Sequence, residues 1–285
     1  MTLEEARRKY TLLLKQHGIE EAEEEARVLL CYALNVDSAQ LLAHPECRLT
    51  NIEAAYIDGL FQRRARGEPS AYIMQSRQFY GIDLQVGPGV LIPRPETEVL
   101  VEQAITFARR WAERHGPAIS IADVGTGSGA IAVALALHLP ASNVCAIDIS
   151  GRALEIAQLN IRKHGLEKRV RLVRGDLLEK IKGKFDMIVA NLPYVAVDEI
   201  GHLQVEIKGH EPLMALRGGA SGVELIERLI AQSRACIKSG GALMLEIGAG
   251  QEGRLKAVAG HLWPGAAVSL AADLAGIDRV LKIEI

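Results

Sequence analysis

The sequence predicts an α/β fold: a mostly parallel sheet with helices on both faces, preceded by a small helical bundle. Three observations predict it. The first 75 residues carry helical periodicity only. From Ile119 onward, strand-type and helix-type runs alternate, the pattern of a parallel sheet covered on both faces. Between one such pair lies a glycine-rich turn, Gly125-Thr126-Gly127-Ser128-Gly129.

Within residues 1–75, Leu3, Ala6, Tyr10, Leu13 and Leu14 recur at helical spacing, as do Ala22, Ala26, Leu29, Leu30 and Ala33. Gly18 separates these two helices. Asp37 or Ser38 is suited to cap a short third helix, and Thr50-Asn51-Ile52-Glu53 is a capping box opening a fourth. The segment holds 9 basic and 12 acidic residues and no basic stripe. Glu20 to Glu25 reads as a solvated helix face. The alternating run Gln78 to Val86, followed by Gly87-Pro88-Gly89, is a hairpin signal. Two prolines then stiffen Ile92-Pro93-Arg94-Pro95-Glu96-Thr97-Glu98, and Glu96 or Thr97 is expected to cap a helix from Val99 to Arg114. Expected strands are Ile119 to Val124, Asn143 to Ile147, Val170 to Val173, Phe185 to Ala190, Ala242 to Glu246 and Ala267 to Leu270, with a final one at Arg279 to Ile285. The expected division is a helical bundle at 1–75 that touches a partner or covers a site, a hairpin and linker at 76–98, and an α/β domain at 99–285.

Composition excludes several classes. With 49% hydrophobic and 24% charged residues in 285, the chain is neither a disordered tail, a collagen nor a coiled coil. Thirty-three basic residues against 35 acidic give a net charge of −2, a poor basis for strong nucleic-acid binding. Cys31, Cys47, Cys145 and Cys236 form no C-x-x-C pair, and the histidines show no ligand cluster, so free thiols and no metal are expected. The acidic N-terminus carries no apolar leader, and the longest apolar stretch, Ala130 to Leu139, is too short for a bilayer. A cytoplasmic monomer without membrane attachment is expected.

The chemistry concentrates at strand ends. The glycine turn closes one strand and opens a helix, so backbone N–H groups can approach a ligand closely. Its G-x-G-x-G spacing differs from the dinucleotide G-x-G-x-x-G. Asp123 precedes it. Asp148 ends the next strand, 19 residues after Gly129, where a carboxylate can grip a ribose diol, and Asp176 follows the third strand. After the fourth strand comes Asn191-Leu192-Pro193-Tyr194. The Asn191 side-chain carbonyl, together with a main-chain carbonyl, is suited to accept both hydrogens of a substrate –NH2, and Tyr194 to pack on a flat group. Arg94 and Glu96 are candidates for the site entrance, Glu211-Pro212 for shaping a substrate loop, and Glu246, at a strand end, for a place near the site or a capping role.

These residues carry a resemblance. The glycine loop, Asp148 and Asp176 resemble the S-adenosylmethionine (SAM) site of class I methyltransferases, which have a Rossmann-like sheet. Asn191 to Tyr194 resembles the [DNS]-P-P-[YF] motif of amino-group N-methyltransferases. Together with residues 92–98, His210-Glu211-Pro212 and Asp273 to Arg279, the whole chain is similar to the PrmC/HemK family. Its members methylate N5 of the glutamine in the Gly-Gly-Gln loop of class I peptide chain release factors. The resemblance implies SAM as cofactor, S-adenosylhomocysteine as product and release factors as partners. It implies cofactor contacts at Gly125, Thr126, Gly127, Ser128, Gly129, Asp148, Asp176, Leu177 and Asn191. Substrate contacts would be Asn191, Leu192, Pro193 and Tyr194, with Asn191, Pro193 and Tyr194 as the catalytic group. Leu192 departs from the family's proline, and Leu177 stands where some relatives have an aromatic. The chemistry of the tetrapeptide would equally serve a flipped base, so a DNA adenine or ribosomal RNA N-methyltransferase is the alternative.

Overall fold

A computed structural model describes the backbone of residues 1–285 and every side chain except that of Val205. The chain divides into two contact units, Met1–Ser76 with Gln204–His210, and Arg77–Leu203 with Glu211–Ile285.

The first unit holds helices α1 (Leu3–Gln16), α2 (Ala22–Leu34), α3 (Ser38–Ala43), α4 (Asn51–Ala65) and α5 (Ser70–Met74). Capping boxes start three of them, through Thr2 and Glu5, Asp37 and Gln40, and Thr50 and Glu53. Each satisfies backbone donors that a helix start leaves open. Ala6, Tyr10 and Leu14 lie three or four residues apart, so α1 turns one buried face to Ala26, Leu29 and Leu30 of α2 and to Ile57 and Phe61 of α4. Tyr10 stacks on Phe61 at 4.1 Å between centroids. Arg64, 3% exposed, crosses this unit and pairs with Glu25 at 2.9 Å and Glu206 at 2.7 Å. Glu25 is therefore an ion-pair partner rather than part of a solvated run: a buried guanidinium needs carboxylates that a helix face in water does not.

The second unit opens with a hairpin, β1 (Ser76–Phe79) and β2 (Ile82–Gln85). The expected hairpin signal was sound, but the reversal falls inside the run, at Tyr80-Gly81, rather than at Gly87-Pro88-Gly89. Both turn residues have positive φ, 51° and 72°, as the tight hairpin turn requires.

Next come α6 (Thr97–His115), β3 (Ile119–Val124), α7 (Ala130–His138), β4 (Ser142–Asp148), α8 (Gly151–Lys163), β5 (Val170–Arg174) and β6 (Phe185–Ala190). The short β7 (Val195–Ala196) and β8 (Arg217–Gly219) follow, and α9 (Val205–His210), between them in sequence, belongs to the first unit. The chain ends with α10 (Glu224–Cys236), β9 (Ile237–Glu246), α11 (Glu252–Leu262), β10 (Ala267–Ala272) and β11 (Asp278–Glu284). The seven-stranded sheet runs β10-β11-β9-β6-β3-β4-β5. Five neighbouring strands are parallel; β11 runs antiparallel to β9, and β10 to β11. This is the expected mostly parallel sheet, and its late strands extend beyond the expected ranges. One core covers each face: α6 and α7 with Ile121, Val144 and Met187, and α10 and α11 with Val124, Ile188 and Leu245. Helix α7 is buried from Ala130 to Ala136 on every side, which accounts for its unbroken apolar sequence.

The strand order reverses at β3, which pairs with β4 on one side and β6 on the other. Open α/β sheets leave a crevice at such a reversal, outside the strand carboxyl ends. Among the described residues, no helix is long and apolar enough to cross a membrane.

Candidate active site

A cleft of about 520 Å³ opens at that reversal. Its walls include the whole glycine turn except Gly129, together with Asp148, Asp176, Leu177, Asn191, Leu192 and Pro193. The structure thus brings most of the expected cofactor and substrate residues to one cavity, while Gly129 and Tyr194 lie outside its wall.

The glycine turn is held from beneath. Gly125 and Thr126 donate their N–H groups to the Ile147 carbonyl at 2.8 and 3.0 Å. Asp123, fully buried, accepts from the Thr126 hydroxyl at 2.6 Å and from the Ala132 N–H at 3.1 Å. Burial pushes the Asp123 carboxyl up to about 7. Asn160 on α8, also fully buried, donates to the Ser128 carbonyl at 2.8 Å and exchanges two hydrogen bonds with the Gln85 backbone. The signal of Asn160 in the sequence was an asparagine on the otherwise apolar face of an amphipathic helix, shared with Ala153, Ile156 and Ala157.

Asp148 ends β4 at the cleft wall. It accepts from the Gly127 N–H at 2.8 Å and the Ser150 N–H at 2.9 Å. Burial raises its pKa, and these two donors, with the Ile149 N–H, oppose the rise. Asp176 lines the cleft while one of its oxygens takes Arg228 at 2.9 Å. Leu177 is buried at the cleft with φ of 47°, uncommon for leucine. Val90, Ile149 and Leu225 add apolar wall.

On the acceptor side, the Asn191 Nδ2 donates to the Thr97 hydroxyl at 2.9 Å. Thr97 is not the cap of α6, since Glu96 occupies that position without a side-chain cap bond. Leu192 is buried, and its side chain packs against Gly125: a Cβ placed on Gly125, whose φ is 77°, would stand 2.9 Å from Leu192 Cδ2. Tyr194 does not line the cleft; its hydroxyl donates to Glu246 at 3.3 Å and burial pushes the phenol up. Glu246 is 1% exposed and burial carries its carboxyl to about 7.

Arg94 lines the cleft and also forms an ion pair with Glu211, whose other oxygen takes the Ile92 N–H at 3.2 Å. Glu211 thereby anchors Pro212 to Ala215, which border the cleft with Arg217. Glu96 is exposed and outside it. Gly218 went unread in the sequence, yet a Cβ there would lie 2.7 Å from the Pro193 carbonyl and from Tyr194 Cα. Only glycine lets β8 lie so close to the tetrapeptide.

All four cysteines are free thiols. One ligand-type cluster escaped the sequence reading: exposed His44, Glu46 and Cys47 hold their ligand atoms within 4.8 Å of one another. They lie on the connection from α3 to α4, in the turn closed by the Cys47 N–H on the His44 carbonyl at 3.1 Å, so their closeness is already local in the sequence.

The sheet order and the cleft define a class I SAM-dependent methyltransferase. The residues fit that cofactor: backbone without a side chain at Gly125 and Gly127, a carboxylate at the end of β4 and an apolar pocket beyond it. A family model for the PrmC N-terminal domain matches residues 5–74, and one for the methyltransferase small domain matches residues 106–206. A release factor glutamine methyltransferase of Bradyrhizobium diazoefficiens is 39% identical over 285 residues, covering 99% of this chain and 94% of that protein. The protein of the same name from Moorella thermoacetica is 39% identical over 282 residues, covering 98% and 97%. A methyltransferase structure from Pyrococcus furiosus, 19% identical, shares the fold with a TM-score of 0.52 over 78% of this chain and 96% of that one. The chain belongs to the release factor glutamine methyltransferase family.

Proposed function

We propose that this enzyme methylates the side-chain amide nitrogen, N5, of the glutamine in the Gly-Gly-Gln loop of class I release factors, with Asn191 as the group that orients that nitrogen. The observation that carries the reading is the Asn191 amide at the cleft wall, beside the glycine turn and Asp148. Bound SAM supplies an electrophilic methyl on sulfur. Asp148 is suited to take the ribose hydroxyls, and the turn at Gly125 to Ser128 the rest of the nucleoside and its tail. Gly129 sits behind the turn, with α8 packed against it.

An amide nitrogen is a weak nucleophile because its lone pair is delocalised. Asn191 Oδ1 and a main-chain carbonyl of the tetrapeptide accept its two hydrogens, which favours charge build-up on nitrogen and aligns it. Positioning and electrostatics then supply much of the rate. Pro193 stiffens the loop. Tyr194 acts from behind it, through Glu246, rather than as a stacking surface at the cleft. Asp176 and Leu177 form the adenine side by apolar packing. Residues 1–75 are assigned to recognition of the release factor, because the chemistry-bearing residues all lie beyond them. The working unit is a cytoplasmic monomer.

The test is mass spectrometry of the Gly-Gly-Gln peptide after incubation of release factor with enzyme and SAM. A gain of one methyl group on the glutamine amide is expected. Modification of a nucleic-acid base with an unmodified release factor would reverse the reading. Asn191→Ala should lower single-turnover transfer about 10²–10³-fold with SAM affinity spared.

A further inference from the structure

The tetrapeptide is held at its front by Leu192 on Gly125. Its rear end carries a second hold that the reaction, as described so far, does not use. Gln251 stands just before α11, past the end of β9 and outside the cleft wall. Its Nε2 donates to the Tyr194 carbonyl at 2.8 Å, across 57 residues, and its Oε1 accepts from the Gly248 N–H at 2.9 Å. The Val195 N–H, next along the chain from Tyr194, donates to the Leu216 carbonyl at 3.1 Å. The packing here leaves no room for side chains between the partners. A Cβ on Gly222, whose φ is 79°, would collide with the Tyr194 carbonyl and stand 2.9 Å from Gln251 Nε2. One on Gly248 would stand 3.1 Å from Gln251 Oε1.

We propose that Gln251 is a positioning residue: it fixes the rear of the tetrapeptide and, through it, the place of the Asn191 amide at the cleft wall. The inference rests on the reading of Asn191 given above. A peptide group is planar, so its carbonyl and its N–H turn as one unit. The Tyr194–Val195 peptide has both taken, the carbonyl by Gln251 and the N–H by Leu216. Its plane cannot turn without breaking one of these bonds. Between that plane and Asn191 the chain has little slack, because the Pro193 ring confines φ and Leu192 is buried against Gly125. A tilt of the plane is therefore carried to Asn191 rather than absorbed on the way.

The direction of the Gln251 amide is itself decided. A main-chain N–H only donates and a main-chain carbonyl serves only as acceptor. With the two ends of the amide exchanged, Nε2 would face the Gly248 N–H and Oε1 the Tyr194 carbonyl, and both bonds would be lost. The position thus calls for one acceptor and one donor on the same planar group. An ionised glutamate keeps the acceptor for Gly248 but has no proton for Tyr194.

The experiment compares Gln251→Glu, Gln251→Met, Asn191→Ala and the double variant Gln251→Glu with Asn191→Ala in the full-length enzyme. Single-turnover transfer to release factor is measured near neutral pH, where an ordinary glutamate is ionised. SAM affinity by calorimetry, release-factor KM and thermal midpoints are measured alongside. Both Gln251 variants should lose about tenfold or more in rate, the scale of a misplaced reacting group, with SAM affinity and KM unchanged. A role confined to the turn before α11 needs only the Gly248 bond, which glutamate keeps. A wild-type rate in Gln251→Glu, with Asn191→Ala inactive, therefore overturns the positioning role alone. Near-normal rate in Asn191→Ala overturns the reading beneath it. In the Asn191→Ala background Gln251→Glu should cost less than in the wild type; full additivity overturns the route through Asn191. A readout independent of turnover is the Tyr194 carbonyl in enzyme carrying carbonyl-¹³C tyrosine, identified by its loss in Tyr194→Phe. Its resonance should move upfield in both Gln251 variants, and a resonance that stays in place overturns the proposal whatever the rates.

Discussion

Leu192 closes over Gly125: the leucine Cδ2 fills the space that a Cβ on Gly125 would need, at 2.9 Å. The tetrapeptide at Asn191 to Tyr194 and the glycine turn are thereby packed against each other. The family's usual proline at this position has a shorter reach. Leu192→Pro should therefore keep the main-chain carbonyl but lose this contact, at about 1 kcal/mol or more in stability. Thermal unfolding and SAM calorimetry check this; an unchanged midpoint with unchanged SAM affinity would show that the contact contributes nothing.

Asp148 performs two tasks at once, holding the Gly127 and Ser150 N–H groups and facing the cleft. Asp148→Ala should weaken SAM binding by about 2–3 kcal/mol, the scale of a charge-assisted grip on two hydroxyls. Calorimetry gives the number directly. Unchanged affinity would remove Asp148 from the cofactor site.

Asp123 makes stability depend on pH. Its carboxyl titrates at about 7 in the folded protein, above the ordinary carboxylate range, because burial disfavours the charge. The folded state then binds a proton more tightly than the unfolded chain. The stabilisation is full below about pH 4 and is lost as pH rises through 7. Glu246 adds in the same direction. Asp123→Asn should gain on the wild type by roughly 1–3 kcal/mol between pH 5 and pH 8. Denaturant titrations of the two proteins at both pH values test this, and a pH-independent difference contradicts it.

Arg64 is 3% exposed between Glu25 and Glu206, 142 residues from the latter. Arg64→Met leaves two carboxylates facing each other without their cation. It should cost the helical unit about 3–5 kcal/mol, the scale of a broken buried pair. Adding Glu25→Gln should recover part of that loss. A double variant no more stable than Arg64→Met would show that the pair does not set the cost.

Much of this protein was legible in its sequence, because the signals were local. Helical spacing in α1, the cap at Asp37 and the capping box at Thr50 depend only on residues within a few positions. The same holds for the glycine turn between β3 and α7, and for carboxylates at the ends of β4 and β5: alternating strands and helices bring those ends to one edge whatever the details of packing. Family resemblance supplied the acceptor. What only the tertiary structure decided are the contacts between distant segments. Asn191 meets Thr97 across 94 residues, and Asn160 meets Gln85 across 75. Tyr194 turns away from the cleft towards Glu246, and the Glu25 face closes on Arg64. No periodicity encodes such pairs. They arise when buried polar groups, stripped of water, take the partners that the packed elements place beside them.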